Sequence, residues 1–209
     1  MKKITLELIE ETIARFPQLA FLKDNVIKAV GALTRKGVKA LICGNGGSSA
    51  DGEHIVGELM KEFKIKRPVS REFKDAFNRS YPGDGLPEKL AGAIAAINLS
   101  SHTALCTAMA NDCGADYAYA QQVYGYCGKG DALIAMSASG NAANVINAAK
   151  TARALGGVVI AFTGKDGGRL KEYCDILFNV PETETYKVQE LHLPLYHLLC
   201  ACAEAELWG

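Results

Sequence analysis

The chain has 209 residues, 49% of them apolar and 22% charged, a composition that excludes a disordered polymer. Lysine plus arginine number 23 and aspartate plus glutamate number 23, so the formal net charge is zero. That balance, with a pI near 6.9, lacks the basic excess of a nucleic-acid binder and favours a small substrate over a long polyanion.

Met1-Lys2-Lys3-Ile4 opens like a leader, but Glu7, Glu10 and Glu11 break up any apolar core behind it. No apolar run reaches the roughly 18 residues of a membrane span, so the expected setting is the cytoplasm, without a membrane partner. Leu6, Ile9, Ile13 and Phe16 recur at helical spacing, and Phe16-Pro17 interrupts them. A second helix is predicted over 18–35, with Leu22, Val26, Ile27, Val30 and Leu33 on one side and Gly37 as its stop. The run 38–43 reads as a strand that stops at Gly44-Asn45-Gly46-Gly47-Ser48-Ser49, and a helix follows over 50–63. Segment 64–89 carries Pro68, Pro82, Gly83, Gly85 and Pro87 among many charges. It reads as a surface excursion with room for a short helix, too short to be a domain.

A buried strand is expected over 91–99, then an apolar helix ending at Asn111-Asp112. Strand, serine-glycine turn and helix return at 131–136, at Ser137-Ala138-Ser139-Gly140-Asn141, and up to residue 155. A strand over 158–162 leads into Thr163-Gly164-Lys165-Asp166-Gly167-Gly168, another strand spans 176–180, and a last helix spans 186–207. Continuous apolar strands alternating with amphipathic helices predict a parallel sheet covered on both faces. The loops at 44–49, 137–141 and 163–168 then open at its carboxyl edge, where such sheets bind ligands. Neither GxGxxG nor GxxxxGK[ST] is present. The seven cysteines, Cys43, Cys106, Cys113, Cys127, Cys174, Cys200 and Cys202, form no CxxC pair and read as reduced, mostly buried thiols.

Two of these loops set serines beside glycines just before a helix. Each alone can be an ordinary helix cap. Two at one sheet edge favour a phosphate pocket, because helix N-termini offer free N–H groups and partial positive charge. His54 and Glu58 lie four apart, on one helix face and about 6 Å apart along the axis. They can share a metal, act as an acid/base pair, or form a plain surface pair. Gln189 and His197 are about 80° apart around their helix and about 12 Å apart along it. They reach one ion only at full side-chain extension, or else different chains supply them. His192 points elsewhere and reads as packing or a polar core contact. Asn111-Asp112 reads first as a turn before Gly114, and second as a contact to a polyhydroxyl ligand.

In order along the chain, Cys43-Gly44-Asn45-Gly46-Gly47-Ser48, His54 to Glu58, Ala110-Asn111-Asp112, Ser137 to Asn141, Thr163 to Gly168 and Gln189-Glu190-Leu191-His192 to His197 resemble the SIS (sugar isomerase) domain family, and within it the phosphoheptose isomerases. The resemblance implies one domain over 1–209, a three-layer αβα sandwich with a five-stranded parallel sheet of flavodoxin-like type, preceded by N-terminal helices over 1–36. It implies isomerisation of sedoheptulose 7-phosphate to glycero-manno-heptose 7-phosphate by a homotetramer with active sites at subunit contacts. Its substrate-binding set is Asn45, Gly46, Gly47, Ser48, Asp112, Ser137, Ala138, Ser139 and Gln189. Ser48, Ser137 and Ser139 are implied to hold the phosphate, and Asn45 and Asp112 to contact the sugar. One zinc ion per subunit is implied on His54, Glu58, Gln189 and His197, with Glu58 and His197 as base and acid. A tight ligand is not a free base, so the two roles of Glu58 compete or follow one another. The chain departs from the family at Ala142, where a third phosphate serine is expected, and at Tyr186, where an acidic residue is expected. Two alternatives stand beside the isomerase: an isomerase of a related sugar phosphate, and a non-catalytic phosphosugar-binding or partner-organising protein of the same fold.

Overall fold

A computed structural model describes all 209 residues. The N-terminal helix α1 spans Lys3–Arg15. Its buried positions are Thr5 and Ile9, while Leu6 of the expected stripe lies exposed. The second helix is divided. Pro17–Leu22 forms a 3-10 turn, and α2 begins only at Lys23 and ends at Leu33. Leu19 and Leu22, three apart, align on one side of a 3-10 helix and are both buried, so the tight turn packs better there than a continued α-helix.

Five strands follow: β1 Lys39–Cys43, β2 Ala95–Asn98, β3 Ala132–Met136, β4 Val158–Thr163 and β5 Ile176–Asn179. They pair in the order β2-β1-β3-β4-β5, all parallel. β2 is shorter than the expected 91–99. Its pairing begins opposite Lys39, the first residue of β1, and ahead of it the amides of Gly92 and Ile94 donate on the side away from β1, to the carbonyls of Arg67 and Leu59 at 2.7 and 3.0 Å.

Alternate strand residues sort to the two sheet faces, as the two-residue period requires. Ala40, Ile42, Ile134, Ile160, Phe162 and Phe178 join the core formed with α1, α2, α3 (Gly47–Met60) and α8 (Thr185–Trp208). Leu41, Leu133, Ala135, Val159 and Ala161 join the second core, under α6 (Ala118–Tyr126) and α7 (Ala143–Ala154). Between α3 and α6 the chain adds α4 (Arg71–Ser80) and α5 (Thr103–Asp112), neither with a buried residue. α4 occupies the middle of the excursion, where Ser70 caps it by accepting from the Phe73 amide. No helix is long and apolar enough to cross a membrane.

Candidate active site

β1 and β3 are neighbours, and β2 lies beyond β1. The chain therefore leaves β1 toward one side and β3 toward the other, which opens a crevice at their carboxyl ends. Both serine loops line it. α3 starts at Gly47, not at residue 50, so Gly47 and Ser48 belong to its first turn and Gly46 immediately precedes it. Ser48 is buried, while Asn45, Gly46 and Gly47 are exposed.

Opposite them, Ser137 Oγ accepts from the Ala142 amide at 3.4 Å, and Ser139 Oγ accepts from the Asn141 amide at 3.2 Å. Ser137 thus ties down the backbone just ahead of α7, whose N-cap residue Ala142 has no hydroxyl and makes no side-chain cap. Ser137 is buried, Ala138 half-buried and Ser139 exposed. A Cβ on Gly140, at φ +67°, would lie 2.2 Å from the Gly167 carbonyl oxygen, so this loop packs backbone to backbone against 164–168.

Two residues that no sequence motif marks, Asn144 and Tyr119, bridge the crevice. Asn45 and Asn144 exchange side-chain amide hydrogen bonds of 3.0 and 2.9 Å. Tyr119 Oη donates to the Gly44 carbonyl at 2.7 Å. Burial pushes that phenol up to about 12, so it remains a donor. The only signal for Asn144 was its place in the first turn after the second serine loop. Asp112 ends α5 and is exposed, its carboxylate accepting from the Asn111 amide at 2.8 Å.

α8 lies along α3 in the same direction. Gln189 sits over Gly47, where an added Cβ would be 2.6 Å from Gln189 Nε2. Further along, His54 Nε2 lies 3.3 Å from Glu58 Oε1 and 3.3 Å from His197 Nε2. One chain therefore brings His54, Glu58 and His197 together. Gln189 stays with Gly47, about 10 Å of helix rise before His54. Glu58 is buried, and its other oxygen lies 3.5 Å from Lys61 Nζ. Burial and the His54 ring push the His197 pKa down, with Glu58 opposing, so His197 favours the neutral form. On its far side His197 borders an open groove of about 410 Å³ with Phe63, Leu193 and Leu8. His192 is in the core, its Nε2 3.2 Å from the Thr163 carbonyl.

Arg67 holds the end of α3. Its guanidinium donates to the carbonyls of Glu58 and Leu59, at 2.8 and 2.9 Å, and to Glu204 Oε1 at 2.6 Å. Both members of the pair are buried. Burial pushes the Glu204 carboxyl up, but the Phe63 and Lys64 amides and Arg67 outweigh it and hold the group below its usual range. The sequence presented Arg67 only as one charge of an excursion. Its task is to satisfy carbonyls that a helix end leaves open.

Two imidazole nitrogens and a carboxylate oxygen suit a zinc-type cation. Tetrahedral ligands with bonds of about 2.0–2.1 Å stand roughly 3.3–3.4 Å apart, the separation of His54 Nε2 from both neighbours. The donor types and these two separations suit such an ion, and three of the four implied ligands are neighbours, although no three His, Cys, Asp or Glu side chains yet stand arranged to enclose one.

The SIS domain family model matches residues 84–164, which run from the excursion's end through β4. This places the chain among proteins built on that domain, and its relatives narrow the class. Phosphoheptose isomerase from Aliarcobacter butzleri is 40% identical over 173 residues, covering 83% of this chain and 79% of that one. The structure of phosphoheptose isomerase from Neisseria gonorrhoeae superposes with a TM-score of 0.73 at 32% identity, over 94% of both chains. That of a phosphoheptose isomerase from Francisella tularensis gives 0.73 at 26% identity, over 98% of this chain and 100% of the other. The chain belongs to the phosphoheptose isomerase family.

Proposed function

We propose that this chain is a cytoplasmic aldose–ketose isomerase that converts sedoheptulose 7-phosphate to glycero-manno-heptose 7-phosphate. The observation that carries the reading is His54 standing between Glu58 and His197, at 3.3 Å from each. A carboxylate and a neutral imidazole are the two groups an enediol mechanism needs.

Ser48, Ser137 and Ser139, with the N-terminal turns of α3 and α7, take the phosphate. Asn45 and Asp112 contact the hydroxyls. Ser48 and His54 are six residues apart, about 9 Å along α3, so ester and reacting carbons lie along one helix. Glu58 removes a proton from C1 and returns it to C2, while His197 moves the hydroxyl proton from O1 to O2. Oε1 of Glu58 faces His54 and Oε2 faces Lys61. The carboxylate can therefore face the cation with one oxygen and the carbon-bound proton with the other. His54, Glu58 and His197, with Gln189 brought in from Gly47, would hold a zinc ion, whose chemistry is to polarise the sugar oxygens and stabilise the enediolate charge. A homotetramer is the assembly proposed; the open groove beside His197 and exposed Leu193 support a covering copy.

The test is aldose formation from sedoheptulose 7-phosphate by the purified, zinc-loaded protein. Glu58→Gln and His197→Asn should each lower kcat by about 10²–10⁴-fold. Tight binding of the sugar phosphate without turnover at any zinc loading would instead identify a non-catalytic binding protein.

A further inference from the structure

The two nitrogens of His54 have different neighbours. Nε2 faces Glu58 and His197. Nδ1 lies 3.1 Å from Tyr196 Oη, and the same oxygen lies 3.2 Å from Asp51 Oδ1. Asp51 and His54 are three apart on α3 and so share a face. Tyr196 is buried and reaches them from α8. The His54 ring is held edge-on between Tyr196 and His197, with centroids 5.5 and 4.8 Å away.

A phenol has one proton, and an ionised carboxylate only accepts. The proton on Tyr196 therefore goes to Asp51. The phenol oxygen is then left to accept from His54, which places the imidazole proton on Nδ1. Nε2 carries the lone pair. That lone pair faces the Glu58 carboxylate, another acceptor, and His197 Nε2, and a cation seated among the three would satisfy them all. Asp51 Oδ2 is buried without a partner; the carboxylate's hydrogen bonding is spent on Tyr196 alone.

Building on the reading of this cluster as the isomerase's cation site, we propose that Asp51 and Tyr196 are positioning residues. They lock His54 as the Nδ1–H tautomer and aim its Nε2 lone pair at a divalent metal. A hydrogen-bonded group behind a ligating histidine commonly fixes its tautomer and basicity. Here a tyrosine relays that effect from a carboxylate one helical turn away.

The decisive measurement is made on the metal-free full chain labelled with 15N in histidine, His54 being assigned by its loss in His54→Asn. Long-range proton–nitrogen spectra should show a protonated Nδ1 and an unprotonated Nε2. A protonated Nε2 in the wild-type chain overturns the proposal. Tyr196→Phe keeps the ring and removes the relay. It should shift His54 toward the Nε2–H form and raise the dissociation constant for Zn2+ by about 10–100-fold. A folded Tyr196→Phe with unchanged tautomer and unchanged zinc affinity also overturns it. If that variant fails to fold, the wild-type spectrum still decides. Zinc binding with the expected tautomer but no sugar turnover sinks the isomerase reading alone. The reverse tautomer in an active enzyme sinks only the relay.

Discussion

At its N-terminal end α3 begins among exposed glycines, and what it offers a ligand is mostly backbone, two hydroxyls and the amides of Asn45 and Gln189. At its other end the helix is fixed by side chains from two distant segments: Arg67 caps its carbonyls, and Glu204 of α8 holds Arg67. The first end has space and few fixed partners. The second carries a buried ion pair, Arg67 with Glu204, tied to named partners. Substitutions in the Arg67 cap should therefore cost stability first, while those at the N-terminal end should cost activity and leave the fold intact.

The largest effect expected is at Arg67. Arg67→Ala removes the guanidinium from a fully buried pair and leaves Glu204 with amide donors only. Breaking such a pair from one side costs about 3–5 kcal/mol. Urea unfolding should show the midpoint falling accordingly with the slope unchanged. The last turn of α3, including Glu58, should also lose protection in hydrogen exchange. A loss below about 1 kcal/mol, the range of exposed ion pairs, would mean that water reaches the pair and that the two ends of α3 are alike.

His192 supplies a control on the same helix as His197. It is buried, edge-on to Phe162, and burial pushes its pKa down to about 4, with the Thr163 carbonyl partly opposing. The unfolded imidazole titrates near 6.5, so between these values the unfolded chain binds more protons. The stability linked to His192 is fully present above about 6.5 and is lost as pH falls toward about 4. The whole window amounts to about 3 kcal/mol. Unfolding free energies across the window should fall with acid in the wild-type chain and fall less in His192→Gln. An identical acid dependence in both would remove His192 from the account. Turnover at neutral pH should respond to His197→Asn far more than to His192→Gln, since His192 faces β4 and not the cluster.

What the sequence disclosed, and what it withheld, follows the same division. The glycine-serine punctuation after β1 and β3 is local chemistry: a strand must end, a turn must form, and a helix must be capped. Those residues could be read in place. His54 and Glu58 were legible as an i,i+4 pair, because helical spacing alone sets them on one face. Tyr196 was not. Its ring looks like one more core residue between Leu195 and His197, and its hydroxyl gains meaning only when α8 is laid along α3. Arg67 was hidden for the same reason, since nothing in a charged, proline-rich stretch says which charge turns inward. The foreshortened β2 was hidden too, because its pairing can start only where β1 starts, at Lys39, and the residues before it turn their amides to Arg67 and Leu59.

The smallest expected change in stability is at the open end, and it has the opposite sign. Gly47 has no backbone conformation that requires glycine, but a Cβ there would come within 2.6 Å of Gln189 Nε2 and 2.9 Å of its Oε1. Those atoms are the tip of a flexible side chain and can swing aside. Gly47→Ala should therefore leave stability unchanged or raise it by about 0.4–1 kcal/mol, through the less flexible unfolded chain. The cost falls on Gln189, whose amide loses its seat. If that seat serves substrate or cation, Gly47→Ala and Gln189→Ala should impair kcat/KM to similar degrees. The double variant should be no worse than either, because both remove the same contact. Additive losses would show that Gly47 meets the ligand directly through its backbone. A drop in stability comparable to that of Arg67→Ala would show the crevice to be as tightly packed as the far end of the helix, and the contrast between the two ends would fail.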